Sequence, residues 1–313
     1  MPLKLSTKGW VLEELVRDSS NFQHVLRVRC NDPNLLVIIE DHERRAEPFI
    51  IEGWHEHPQW PRELFTVDWL LANFPHDMSV RNVHDWLDAS MSLQSFVDRS
   101  RTLPPHAIDE EIERYYGKDA ECPEAWRSWV NQSGILPDSM LPHHSNDVIQ
   151  YLPEHSAVET LMCYLGIGDT FTPCHKDLCS SSGQNIMCYT ENGGSSFWFM
   201  TRGSDAPAFA EYLHKLGVGQ ELDLETNILS IEELSGAPLD IFIAEQKLGD
   251  LVYVPQRSCH QVVNQGGITI KTSWSRMTVQ GLETALYHEL PIYRRVCRPE
   301  IYRVKSMIHH TLI

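Results

Sequence analysis

No Cys-x-x-Cys pair occurs among the eight cysteines, so the chain has no zinc-ribbon signature and no finger-type histone reader of its own. No apolar run approaches the roughly 18 residues of a membrane-spanning helix. The opening stretch, MPLKLSTKGWVLEELVRDSS, lacks the unbroken apolar core of a signal peptide, so reduced thiols and a cytosolic or nuclear setting are the expectation. The tripeptide Asn131-Gln132-Ser133 fits a glycosylation sequon, with no secretion route to support it. Internal repeats, low-complexity tracts and obvious linkers are missing. Positive charge is scarce: 26 Lys and Arg stand against 43 Asp and Glu, a net charge of −17. Direct DNA binding is therefore not expected, because phosphate contacts need Lys and Arg to displace counterions. A basic partner remains open. What is present is a globular composition, 42% hydrophobic and 22% charged over 313 residues, which excludes a wholly disordered chain.

The chain changes texture near residue 155. Residues 1–154 read as a mixed, largely helical region. Two apolar runs in it, Leu35 to Ile39 and Pro48 to Trp54, suit buried strands. Thr66 to Phe74 has helical spacing with Thr66 as N-cap, Ser92 to Val97 suggests another helix, and residues 109–130 read as exposed helix and loop. From there to residue 277 come short strands with Gly, Ser or Pro between them. They are read at Val158 to Leu165, Phe171 to Asp177, Asn185 to Thr190, Ser195 to Met200, Asp240 to Ala244, Asp250 to Val254, Cys259 to Val263 and Ile268 to Trp274. One helix, 207–217, interrupts them, with Gly217 as its stop. So many short strands predict a β-sandwich or barrel. Residues 278–313 read as helix again, over Val279 to Leu290 and Ile301 to His310.

Among sixteen histidines, one pattern carries chemistry: His175-Lys176-Asp177, with His260 far downstream. Residues two apart on an extended strand point to one face. His175 and Asp177 can thus converge on one metal, and a His from a distant strand can complete the set. Two imidazoles and a carboxylate make the facial triad of non-haem Fe(II) oxygenases, which leaves coordination positions open. Taken alone, such a trio also fits unrelated surface histidines.

Its surroundings decide between these readings. Gly168-Asp169-Thr170-Phe171-Thr172-Pro173-Cys174-His175-Lys176-Asp177 is followed by Asn185 and Trp198. Then come Gly249-Asp250-Leu251-Val252-Tyr253-Val254-Pro255 and Cys259-His260-Gln261-Val262-Val263-Asn264. Together these resemble a Jumonji C (JmjC) domain, over residues of about 155 to 276, with Pro48 to Trp54 similar to the family's opening strand near 48–54. The resemblance implies a mainly β fold with α: a double-stranded β-helix, a jelly-roll or cupin-like barrel over 155–277, with helical N- and C-terminal extensions. It implies Fe(II) held by His175, Asp177 and His260, with 2-oxoglutarate as cosubstrate and O₂ as oxidant. It places Thr172 and Asn185 beside the cosubstrate and Tyr164 at a methyl-lysine pocket, where an aromatic wall favours a methylated ammonium. One departure stands out. Many JmjC domains carry a Lys two residues before the Trp of the fourth strand, and here that place is Ser196. Lys271, eleven residues after His260, is the expected replacement, although the pattern of its strand leaves its facing open. Lys176 alternates away from its ligand neighbours and is the poorer candidate.

The resemblance implies a dioxygenase, most plainly a histone lysine demethylase that releases formaldehyde, succinate and CO₂. Its alternatives are a JmjC hydroxylase of a non-histone protein and a non-catalytic JmjC module that binds chromatin or a partner. The expected partner is a methylated histone tail or another basic peptide, and no membrane. The expected location is nuclear, with the cytoplasm also open. Cys174 and Cys259, each next to a ligand His, are read as a buried pair. Asp109-Glu110-Glu111 and the acidic residues from Glu221 to Glu225 are read as solvated faces, with reception of a basic peptide as the alternative, and His309-His310 as a tail pair.

Overall fold

The computed structural model describes residues 5–74, 76–144, 146–217 and 222–312; the side chain of Asp223 lies outside this set. Its strands are β1 (Phe22–His24), β2 (Leu26–Arg29), β3 (Phe49–Glu52), β4 (Asp77–Asn82), β5 (Asp88–Ser92), β6 (Tyr115–Glu121), β7 (Met162–Gly166), β8 (Phe171–His175), β9 (Ser182–Thr190), β10 (Ser195–Met200), β11 (Ile241–Gln246), β12 (Leu251–Val254), β13 (His260–Gln265) and β14 (Thr269–Arg276). They form two sheets, ordered β1-β11-β10-β13-β8 and β2-β3-β12-β9-β14-β7-β6-β4-β5. The sheets face each other as a cupin-like sandwich, the expected double-stranded β-helix architecture, with helices on its outside. Between them pack Ile50, Val252 and Val254 from one sheet and Trp198, Met200 and Val262 from the other.

The N-terminal region extends the larger sheet and covers it. Helices α1 (Leu12–Asp18), α2 (Leu35–Arg45), α3 (Val67–Asn73), α4 (Leu93–Thr102) and α5 (Glu124–Gln132) lie here. Thr66 caps α3 with its hydroxyl, as its spacing predicts, and Ser92 caps α4 in the same way. Trp60, Phe65, Trp126 and Trp129 meet edge-on at centroid distances of 4.6–5.4 Å, each pair adding about 0.5–1.5 kcal/mol beyond its burial.

Two readings of this region are corrected. Leu35 to Ile39 is not a strand but the first turns of α2. Leu35, Ile39 and His42 are buried while Leu36 and Val37 are exposed, a helical period that five residues were too few to reveal. Residues 109–130 are not just exposed helix and loop. They contain β6, which pairs with β4 and β7 and carries buried Tyr116. The preceding acidic run is also only partly solvated. Asp109 and Glu110 are exposed, but the Glu111 carboxylate is buried and takes two bonds from the fully buried Arg114 and one from His84. Strand pairing and the His84 contact, both non-local, override the polar local pattern, and Arg114 adds a pair from three residues on.

After β10 come α6 (Ala206–Lys215) and α7 (Ile231–Ser235), and the chain finishes with α8 (Val279–Thr284), α9 (Leu290–Val296) and α10 (Val304–Thr311). A π-helical turn, Ala285–Glu289, joins α8 to α9 and places the Glu289 side chain inside the protein. There Glu289 accepts from Lys176 Nζ at 2.6 Å and from Arg257 Nε at 2.9 Å. Lys176 thus points away from the sheet interior, as its alternation predicts. No helix of the described residues is long and apolar enough to cross a membrane.

Candidate active site

Strands β8 and β13 are antiparallel neighbours, with His175 and His260 directly opposite each other. The strand ends at His175, and Asp177, two residues on in extended backbone, turns its carboxylate to the same side. Among the described residues this is the one group of three possible ligands whose donor atoms lie within 4.8 Å of one another. Asp177 Oδ1 stands 3.9 Å from His175 Nε2 and 3.8 Å from His260 Nε2. Both rings are oriented by their other nitrogen: His175 Nδ1 donates to the Pro173 carbonyl at 2.8 Å, and His260 Nδ1 to the Ser258 carbonyl at 3.1 Å. A carbonyl only accepts, so each Nδ1 carries the proton and each Nε2 turns a lone pair inward. Burial, with His260 as neighbour, lowers the His175 pKa, and burial lowers that of His260 to about 4. Both rings are therefore neutral and ready to bind a cation. Asp177 is pushed up to about 6 by burial, a shift that a metal cation would reverse. Gly183 backs this carboxylate so closely that any Cβ there would collide with Asp177 Oδ2.

The trio faces a cavity of about 480 Å³ between the sheets. Lys271 reaches it from β14 with its side chain fully buried, so its facing is inward. Its Nζ donates to Asn264 Oδ1 at 2.7 Å and Ser196 Oγ at 2.9 Å, both across on the smaller sheet. Burial lowers its pKa to about 7. A buried ammonium with two neutral partners and no carboxylate among the described residues is suited to an incoming anion. Thr172 and Asn185 line the same cavity. Thr172 shares a 3.2 Å hydrogen bond with the buried Tyr116 hydroxyl. Trp198 Nε1 donates to Gln246 Oε1 at 2.9 Å, and Gln246 Nε2 donates to Asn185 Oδ1 at 3.1 Å. That relay occupies the Asn185 oxygen and leaves its amide hydrogens for the cavity. The donor set therefore fits both groups: two neutral imidazoles and a carboxylate for Fe(II), and a cation with hydroxyl and amide donors for a dicarboxylate.

Tyr164 lies at the mouth, its hydroxyl donating to Asp119 Oδ1 at 2.7 Å. Sequence reading missed three residues here. Tyr116 sat in a segment read as irregular, and Gly183 has no motif of its own. Glu225 was read as part of a solvated acidic run. Glu221 of that run lies outside the described residues, but Glu225 turns into the cavity with left-handed backbone, φ 53°. It accepts from Arg298 at 2.6 Å and Lys118 at 3.2 Å. Burial opposes its charge, but His175, Lys118 and Arg298 outweigh it and hold the carboxyl down at about 2. Cys174 and Cys259 are buried thiols outside any disulfide, and burial with Cys259 nearby raises the pKa of Cys174.

Residues 162–275 match the family described as JmjC domain, hydroxylase. This segment is a JmjC domain. The JmjC domain places it in the superfamily of Fe(II)- and 2-oxoglutarate-dependent oxygenases, which implies dependence on both cofactors. The chain is also similar to C-module-binding factor A of Dictyostelium discoideum, at 29% identity over 324 aligned residues. That alignment takes in 96% of the chain but only 30% of the relative.

Proposed function

We propose that the protein removes N-methyl groups from lysine in a basic protein segment, with a histone tail as the first candidate. The observation that carries the reading is the meeting of three features in one cavity: the ligand trio, the buried cation Lys271, and Tyr164 at the mouth. His175, Asp177 and His260 are assigned to the metal. Bound there with 2-oxoglutarate and O₂, iron supplies the oxidising chemistry that hydroxylates a C–H bond. Lys271 takes the distal carboxylate, Thr172 with Tyr116 and the Asn185 amide fix the cosubstrate's orientation, and the sheets keep out water. Tyr164 presents an aromatic face to the methylated ammonium. A hydroxylated N-methyl group then falls apart to formaldehyde and the free amine. A nuclear location follows from a histone substrate.

The relative's name describes a binding factor, which supports a second reading, a JmjC module that binds without catalysis. One assay separates these readings. The loaded protein is incubated with methylated histone peptides and followed by mass spectrometry, with formaldehyde and succinate measured alongside. Loss of about 14 Da per methyl group supports demethylation. A gain of about 16 Da supports hydroxylation. No succinate and no mass change, with peptide retained, supports the module.

A further inference from the structure

Glu225 has an unusual setting for a residue at the mouth of a cavity. It sits on a short loop pinned beside the metal trio, where Cys174 N donates to the Asn227 carbonyl at 2.7 Å, and buried Leu222 and Leu229 flank it. Two of the protein's own cations neutralise it. Lys118 belongs to strand β6, and Arg298 belongs to the segment between α9 and α10. That segment has no helix or strand over 298–302 and is bracketed by two left-handed non-glycine residues, Cys297 and Arg303. Arg298 is held on one side by Glu225 and on the other by the Tyr293 ring, 5.5 Å from its guanidinium. A carboxylate facing an aromatic ring is a receptor for a cationic side chain, and the chain's own arginine occupies it.

We propose that Glu225 receives a basic side chain of the substrate, an ammonium or guanidinium, and that Arg298 is its built-in competitor. This rests on the reading that a protein segment enters this cavity. Arg298 is the cation to be exchanged, because it sits in an irregular segment, while Lys118 on β6 also has the Asp119 carboxylate at 3.6 Å. A substrate cation that replaces it keeps Glu225 paired throughout, so no buried charge is stranded. Basic segments then bind by ion exchange, and segments without a cation have nothing to offer for the release of Arg298.

The test is binding of a fluorescein-labelled Lys- and Arg-rich peptide to the full chain, read by anisotropy, with an acidic peptide of equal length as control. Arg298→Ala is expected to tighten the basic peptide roughly tenfold, the scale of one charge-assisted contact. Arg298→Gln, which keeps the aliphatic stem and a polar end but removes the charge, is expected to do the same. Glu225→Gln is expected to weaken it by a similar factor and to erase the gain from Arg298→Ala when the two are combined. Equal or weaker binding in both Arg298 variants overturns the proposal, as does a gain that survives Glu225→Gln. So does a native chain that prefers neither peptide. Iron-dependent 2-oxoglutarate binding is measured in parallel by calorimetry. Its absence beside the expected peptide series supports this proposal and defeats the oxygenase reading instead.

Discussion

The Lys271 ammonium lies 2.9 Å from the Ser196 hydroxyl, although the two residues belong to opposite sheets. Ser196 stands where many JmjC domains carry the lysine that pairs with the cosubstrate. In the proposed function the cation thus changes strand while its charge stays in nearly the same place. A long side chain on β14 spans the gap that a short one on β10 leaves open.

This exchange predicts a rescue. Lys271→Ala should weaken 2-oxoglutarate binding by about ten- to a hundredfold, the range of a lost hydrogen bond to a charged group. Adding Ser196→Lys to that variant should recover part of the loss. Calorimetry with Fe(II) under nitrogen measures both. A double variant no better than the single one shows that Ser196 does not border the anion.

Burial also gives Lys271 a pH signature. Its pKa is about 7 in the folded chain against an ordinary 10.5, so between these values the unfolded chain binds more protons. The contribution of this group to stability therefore rises with pH from about 7 to 10.5 when no cosubstrate is bound. A bound dicarboxylate favours the charged form, so binding above pH 7 should take up a proton. Calorimetry in buffers of different ionisation enthalpy should show this uptake in the native chain and none in Lys271→Ala.

Gly183→Ala should act on the metal. The added methyl group has no room beside Asp177 Oδ2 and must push the carboxylate aside. Loss of Fe(II) affinity by roughly ten- to a hundredfold is expected, the usual cost of disturbing a ligand's support. A metal titration followed by melting temperature reads it: added Fe(II) should raise the melting temperature of the native chain well above that of the variant. Equal rises in both would remove Gly183 from the site.

The net charge of −17 makes a kinetic prediction. A basic peptide steered by the acidic surface should lose kcat/KM as ionic strength rises, through slower association and not through kcat. Turnover of a basic peptide that ignores salt would leave the charge to solubility alone.

The site was more legible in the sequence than its surroundings. His175 and His260 are set by one ladder, and Asp177 by extended backbone that carries the alternation two residues past β8, both of which leave periodic traces. Strands β10 and β12 fall inside the runs read for them. Lys271 was named, but its facing was open until the ladder to β7 and β9 fixed it. Glu225 and Glu111 were missed for another reason: a carboxylate in an acidic run looks solvated until its partners arrive from elsewhere. Arg298 and His84 come from segments that no local pattern links, and Arg114, although only three residues past Glu111, shares no helix with it that would announce the pair. The strand β6 was hidden in the same way, because its polar residues gain their neighbours only from pairing.

The buried carboxylate of Glu289 has a genetic consequence. It ties Lys176, which sits between two ligands, to Arg257, which shortly precedes the third, and it reaches both from a helical turn outside the JmjC segment. A stop codon just after residue 278 would spare every metal ligand and every cosubstrate contact argued above, yet it would leave buried Lys176 and half-buried Arg257 without their shared counterion. Such an allele should behave as a null, and an expression clone trimmed to the domain boundary should fail for the same reason.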